Sequence, residues 1–209
     1  MRHDRKKLMD RVWLLAGATF LGLMSAVAQA QTTIRVRGTI TGFDGHILVV
    51  KARDGNYLNM NIADSTTVSS LVELRVGDIK QGGFVGVTAV RNGADGALYA
   101  MEVHVFPEVS RGAGEGHYDW DLAPGSTMTN ANIDAIVDAN NGKELMLSYK
   151  GGTQKIIVPP GTPIVTFVPA EQSLLKPEAP IFAVVQQAGD GTLTARRIMV
   201  GKDGLKPPM

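Results

Sequence analysis

The chain has 209 residues, no cysteine, and 21 basic against 20 acidic side chains. Without thiols it can form no disulfide, thiolate metal site or cysteine nucleophile, so the fold must stand on its core. The near-balance of charge gives no electrostatic reason to expect nucleic acid or anionic lipid as a partner.

The first thirty residues read as a secretory signal peptide. "MRHDRKKLMDR" is basic, "WLLAGATFLGLMSAV" is apolar, and Ala28-Gln29-Ala30 ends in the small residues that a signal peptidase reads. Cleavage after Ala30 would leave Gln31 as the mature N-terminus. The alternative is a retained anchor, because the apolar run approaches the ~18 residues needed to span a bilayer. The leader holds five basic and two acidic residues, so residues 31–209 carry 16 against 18, a net charge of −2. A periplasmic protein with no membrane span after cleavage is expected.

From Thr33, "TIRVRGTITG" alternates Ile34, Val36 and Ile40 with Arg35, Arg37, Thr39 and Thr41, the period of a half-buried strand. "HILVVKA" and "YLNMNI" follow as second and third strands. "ADSTTVSSLVELRVGDIKQGG" is a longer segment, with a short helix expected at Ser70 to Leu74. "FVGVTAV", a turn at Gly93 to Gly96, and "ALYAMEVHVF" complete a five-strand unit. The same order returns as "NIDAIVDA", "KELMLSYK", "TQKIIV", a longer segment with a helix at Glu171 to Leu175, "IFAVVQQ" and "TLTARRIMV". Gly45 matches Gly142, Gly96 matches Gly191, Leu98 matches Leu193 and Ala100 matches Ala195, at offsets of 95 to 97. This is the mark of an internal repeat.

The expected fold is all-β: two tandem five-stranded OB-like small barrels, each with a short helix between its third and fourth strands. The first would span 31–106 and the second 131–201, with an ordered connector at 107–130 and a tail at 202–209. A single continuous β-sandwich is the competing architecture. The pattern "VRGTITGFDGHILVVKA…GDIKQGGFVGVTAV…GALYAMEVHVF" resembles a family of exported bacterial small β-barrel domains of unknown function. The resemblance covers the whole first repeat. The second keeps the closing strand but has "LLKPEAP" where the first has "VGDIKQGG". It implies fold and location and leaves activity open.

No G-x-S-x-G, S-x-x-K, Walker loop or G-x-G-x-x-G followed by a helix occurs. Aromatics and basic residues are too sparse for a single-strand nucleic-acid groove. Chemistry concentrates in "RGAGEGHYDWDLAPGSTMTN", Arg111 to Asn130. If this segment is extended, Glu115, His117, Asp119 and Asp121 share one edge, a candidate site for zinc, manganese or another divalent ion. His46 or His104 could complete it. Glu115 and Asp119 could instead form the acid/base pair of a hydrolase.

The structural reading of the same residues is a docked connector. Tyr118 and Trp120 would seat on apolar barrel surface, and Arg111, Tyr118 and Trp120 would be its contact residues. Taken alone, His46 at a turn and His104 on the polar face of a strand are expected at the surface. Arg196 and Arg197 make at most a small anion patch, and Met60, Met101, Met146 and Met199 read as core residues. The reading that follows is an exported, non-enzymatic binding or scaffold module without a cofactor. Its partner would be an envelope protein or small ligand, and a metal-binding accessory protein is the first alternative.

Overall fold

The computed structural model describes residues 31–92 and 96–207; the expected signal peptide and most of the expected turn at Gly93 lie outside them. The alternation read from Thr33 forms β1 (Thr32–Phe43), with Val36 and Ile40 buried. The next strands are β2 (Ile47–Ala52) and β3 (Tyr57–Glu73). β4 (Phe84–Asn92) and β5 (Ala97–Val105) end the first half. The second half holds β6 (Gly116–Asp119), β7 (Ser126–Ala139), β8 (Gly142–Tyr149) and β9 (Gly152–Val158). β10 (Ile164–Pro169), β11 (Pro180–Gln187) and β12 (Leu193–Val200) complete it. Among the described residues no helix is long and apolar enough to cross a membrane.

The fold is all-β and contains a closed five-strand barrel. Its strand order is β12-β11-β1-β2-β3, and β12 returns to β3 in parallel pairing to close the ring. Further strands continue the sheet from β3 through β10, β5, β4, β7, β8 and β9, with β6 on the side of β7. β9 comes back to β5 over a short parallel contact, Leu98 with Ile156 and Tyr99 with Ile157. The closed barrel is therefore not built from residues 31–106 alone, as the order of the repeats led one to expect: β11 and β12 replace β4 and β5 in it. β1 takes β11 as its neighbour from Thr32↔Gln187 to Thr39↔Pro180, and β4 takes β7 from Phe84↔Asn132 to Val90↔Ser126. The physical reason is that strand patterning specifies which face is apolar, not which of two similar edges supplies the partner.

The two expected short helices also differ. Ser70 to Leu74 falls mostly in β3, and the nearest helical turn is a single 3-10 turn at Val76–Asp78. β-branched and hydroxyl residues from Thr66 to Val72 oppose so short a helix. Extended, Ser69 and Ser70 pair with β12 on one edge and β10 on the other. In the second half the helix expected at Glu171 to Leu175 is reduced to a 3-10 turn at Gln172–Leu174.

Three apolar clusters result. Ile40, Leu48, Val50, Met60, Val185 and Ile198 fill the closed barrel, and Leu175 packs with them from the segment that follows β10. Val87, Leu98, Val103, Ile133, Leu147 and Ile156 fill the space among β4, β5, β7, β8 and β9, with Ile79 at their edge. Each fully buried aliphatic side chain of this kind contributes about 1.5–3 kcal/mol. Between the two lies a third cluster, Met128, Phe182 and Met199, with Tyr118, Trp120, Phe167 and Val184 against it.

Pairing between distant halves can be read directly in a chain free of cysteine. Thr33 and Gln186 are cross-strand partners, within the reach of a disulfide. Mild oxidation of Thr33→Cys/Gln186→Cys is expected to consume both thiols within one folded chain. Two free thiols after oxidation would contradict the β1–β11 register.

Candidate functional site

The connector is ordered because its backbone is paired. β6 lies antiparallel to β7, with His117 opposite Thr129 and Tyr118 opposite Met128. Gly112 and Gly114 take φ values of 82° and 61°, which lets the chain turn tightly into β6. Arg111 staples this loop down. Its guanidinium donates to both Glu108 oxygens, to Asn132 Oδ1 at 2.5 Å and to the Gly82 carbonyl at 2.9 Å. The residue expected to meet a partner thus holds the connector in place.

The four proposed ligands disperse. Glu115 Oε1 accepts the Lys150 N–H at 2.9 Å. His117 Nδ1 lies 2.8 Å from Thr129 Oγ1, and its ring stacks on Tyr149. Burial, then the charge of Arg91, lowers the His117 pKa. Asp119 is exposed, and Asp121 turns to β1, accepting from Arg37 at 2.7 Å and lying 3.7 Å from Arg35. Among the described residues no three His, Asp or Glu side chains converge on a metal position. His46 is exposed at its turn, and neither it nor His104 completes such a set.

Tyr118 and Trp120 face the other way, as alternation along an extended segment requires. The Arg35 guanidinium sits 4.0 Å above the Trp120 ring, and Trp120 also meets Tyr118 and Phe182. A cleft of ≈ 540 Å³ is walled by Thr66–Ser69 of β3, by Phe106, Pro107, Val109, Ser110 and Ala113, by Phe167 to Ala170, and by Arg197 and Met199. An inner hollow of ≈ 200 Å³ shares Phe106, Ala113, Phe167, Arg197 and Met199 with it and reaches Tyr118, Trp120, Met128 and Asn130. Among the described residues, Trp120 Nε1 and Asn130 Oδ1 are buried there without a hydrogen-bond partner. Val109, 94 % exposed, stands at the mouth.

Beside the cleft is a polar group that alternation alone misplaces. His104, expected at the surface, is 0 % exposed, as is Glu102. Their face of β5 turns from the Val103 core toward Phe167, whose ring centroid is 4.9 Å from that of His104. A polar face is normally wet; here a second layer of structure covers it. Thr88 donates to Glu102 Oε1 at 2.9 Å. Burial raises the Glu102 pKa to about 7, opposed by the Thr88 bond and the charges of Arg37 and Arg53. Burial lowers that of His104 to about 3, so the ring is neutral and the 3.8 Å approach to Glu102 is not an ion pair at neutral pH. The only sequence signal for these groups was a glutamate and a histidine two residues apart on a strand bracketed by apolar positions.

Comparison with protein-family models, with curated proteins and with solved structures finds no match to the chain.

A glutamate whose folded pKa lies above its unfolded value of 4.5 stabilises the fold below that value. The contribution is lost as pH rises through about 7. The loss amounts to roughly 2–4 kcal/mol at about 1.4 kcal/mol per unit. Glu102→Gln keeps the acceptor for Thr88 and is expected to be more stable than the native chain at about pH 9, with the difference shrinking toward about pH 5. His104, common to both proteins, acts between its unfolded 6.5 and about 3 and cancels in the difference. Denaturant melts across this range test it; a pH-independent difference would contradict the burial of an ionising carboxyl.

Proposed function

We propose that the chain is an exported, non-enzymatic binding module of the bacterial envelope. It is built as two OB-like barrels that exchange their last two strands. Export rests on the leader, its apolar run and the Ala28-Gln29-Ala30 end. The double-barrel reading rests on β1, β2 and β3 being completed by β11 and β12, while β7, β8 and β9 are completed by β4 and β5. Irregularities in matching strands support a duplication: Ile40/Gly42 in β1 with Ile133/Ala135 in β7, and Thr88/Ala89 in β4 with Val184/Val185 in β11. Such bulges bend a strand round a barrel corner and are kept as part of a fold.

The observation that carries the binding role is the cleft. Its ≈ 540 Å³ falls within the range of small-molecule sites, which combine apolar walls with a few placed polar groups. Phe106, Phe167 and Met199 supply the walls. The Trp120 N–H and Asn130 Oδ1 supply one donor and one acceptor in the inner hollow. Arg197 supplies positive charge at the rim and has no ion partner among the described residues. The ligand that fits is a small amphipathic molecule with a flat apolar body and a polar or anionic end.

The naphthalene-sulfonate dye 1-anilinonaphthalene-8-sulfonate has this shape and charge, and it serves as the probe with the chain from Gln31. Saturable fluorescence near one dye per chain is expected, with quenching of Trp120. Ala113→Phe, which fills the wall common to cleft and hollow, is expected to weaken it by about tenfold, about 1.4 kcal/mol. Unchanged binding in that variant, or a signal that never saturates, would place the dye elsewhere and remove the cleft as the site.

A further inference from the structure

A further, smaller cavity on the barrel shares no wall residue with the cleft or its inner hollow. β1 and β2 run antiparallel with Gly38 opposite Ala52, and the Arg53 N–H donates to the Arg37 carbonyl at 3.0 Å. The two arginines therefore start from adjacent points of the sheet. The floor between them is bare backbone. A Cβ on Gly38 would fall 2.3 Å from the Lys51 carbonyl oxygen, so no larger residue fits there. On the other side the chain leaves β12 and folds back. The Gly201 N–H donates to the Pro180 carbonyl at 2.8 Å, and Leu205 N–H to Lys202 at 3.0 Å. Pro207 is buried by this turn, and Lys206 is carried to the rim. The resulting cavity measures ≈ 190 Å³, with Arg37, Gly38, Thr39, Arg53, Pro180 and Lys206 among its walls.

Among the described residues, its walls carry cationic side chains and no carboxylate. Arg37, 8 % exposed, is answered by Asp121 at 2.7 Å and lies over the Phe182 ring. Among the described residues, Arg53 and Lys206 have neither a salt bridge nor a side-chain hydrogen bond. Partial burial, then repulsion from Arg37, lowers the Arg53 pKa, while Asp121 and Glu102 relieve this only in part. The Thr39 hydroxyl adds a neutral donor.

We propose that this cavity is a binding site for a small oxyanion, a phosphate or carboxylate group, held by Arg53 and Lys206 above the buried Arg37. Guanidinium groups suit this task because their planar forks match such oxygens, and charge-assisted bonds are the stronger kind. The volume admits one such group with little attached, below the ~300 Å³ at which drug-sized sites begin. The site is separate from the apolar cleft, so either can fail without the other.

The test is isothermal titration of the chain from Gln31 with inorganic phosphate and, separately, with acetate, at constant ionic strength set by chloride. Saturable binding near 1:1 by at least one of the two is expected, and which one binds identifies the group. Arg53→Gln/Lys206→Gln is expected to weaken it by about tenfold or more. Because both side chains are exposed, the melting temperature without anion should stay unchanged. Arg53→Lys, which keeps the charge but loses the fork, should fall between. Failure of both anions to saturate, or equal affinity in the double variant, would overturn the proposal.

Discussion

The pairing of β3 on both edges is the constraint on which the rest of the molecule depends. At 17 residues it is about 55 Å long if fully extended, more than one small barrel can use. Its first part pairs with β2 and its last part with β10, while β12 runs along the opposite edge. Unpaired strand edges invite aggregation, and here one long strand finds partners from both halves of the sequence. β10 then pairs in parallel with β5 and carries the sheet onward. Remove β3 and the barrel, its link to the later strands and the floor of the cleft are lost together.

What lies between the apolar clusters has a different character from either of them. Phe182, Met199 and Met128 give it an aromatic and sulfur-rich centre, against which Tyr118 of β6 and Trp120 just after it are packed. Around that centre are groups rarely left dry: Glu102, His104, the Trp120 N–H and Asn130 Oδ1. Burying a polar group without a partner costs on the order of 1–3 kcal/mol. Those at the inner hollow are the ones a bound molecule could satisfy. Asp121 joins this region to the barrel by neutralising Arg37, and Arg35 adds its cation over Trp120. The connector is thus fixed by charge as well as by packing.

Much of this was legible from residues alone. Alternation located most strands, because Val36, Ile40, Met60, Leu145 and Leu147 are buried where the period of two puts them. Tyr118 and Trp120 were read as docking residues, and they pack. Pairing was less accessible: β11 is as apolar and as regular as β4, so nothing in either strand says which of them belongs beside β1. β10 was hidden inside a proline-rich segment, yet Ile164, Val165 and Thr166 are good strand formers once β3 offers an edge. The acidic series Glu115 to Asp121 looked like a ligand set because spacing was all that could be seen. In space the Lys150 amide and Arg37 hold its two ends apart. His104 was misplaced because a polar face of a strand was equated with water.

The register between Thr32 and Gln187 has a consequence for how the molecule comes into being. The barrel begun by the first strand cannot close until the ribosome has delivered residues near Val200, because β12 is its last stave. Contacts so distant along the chain form slowly, since a large loop must be ordered before they return any stabilisation. Any polypeptide with this wiring stays open through most of its synthesis. For one that must thread through a membrane pore before it folds, late closure works as a timer.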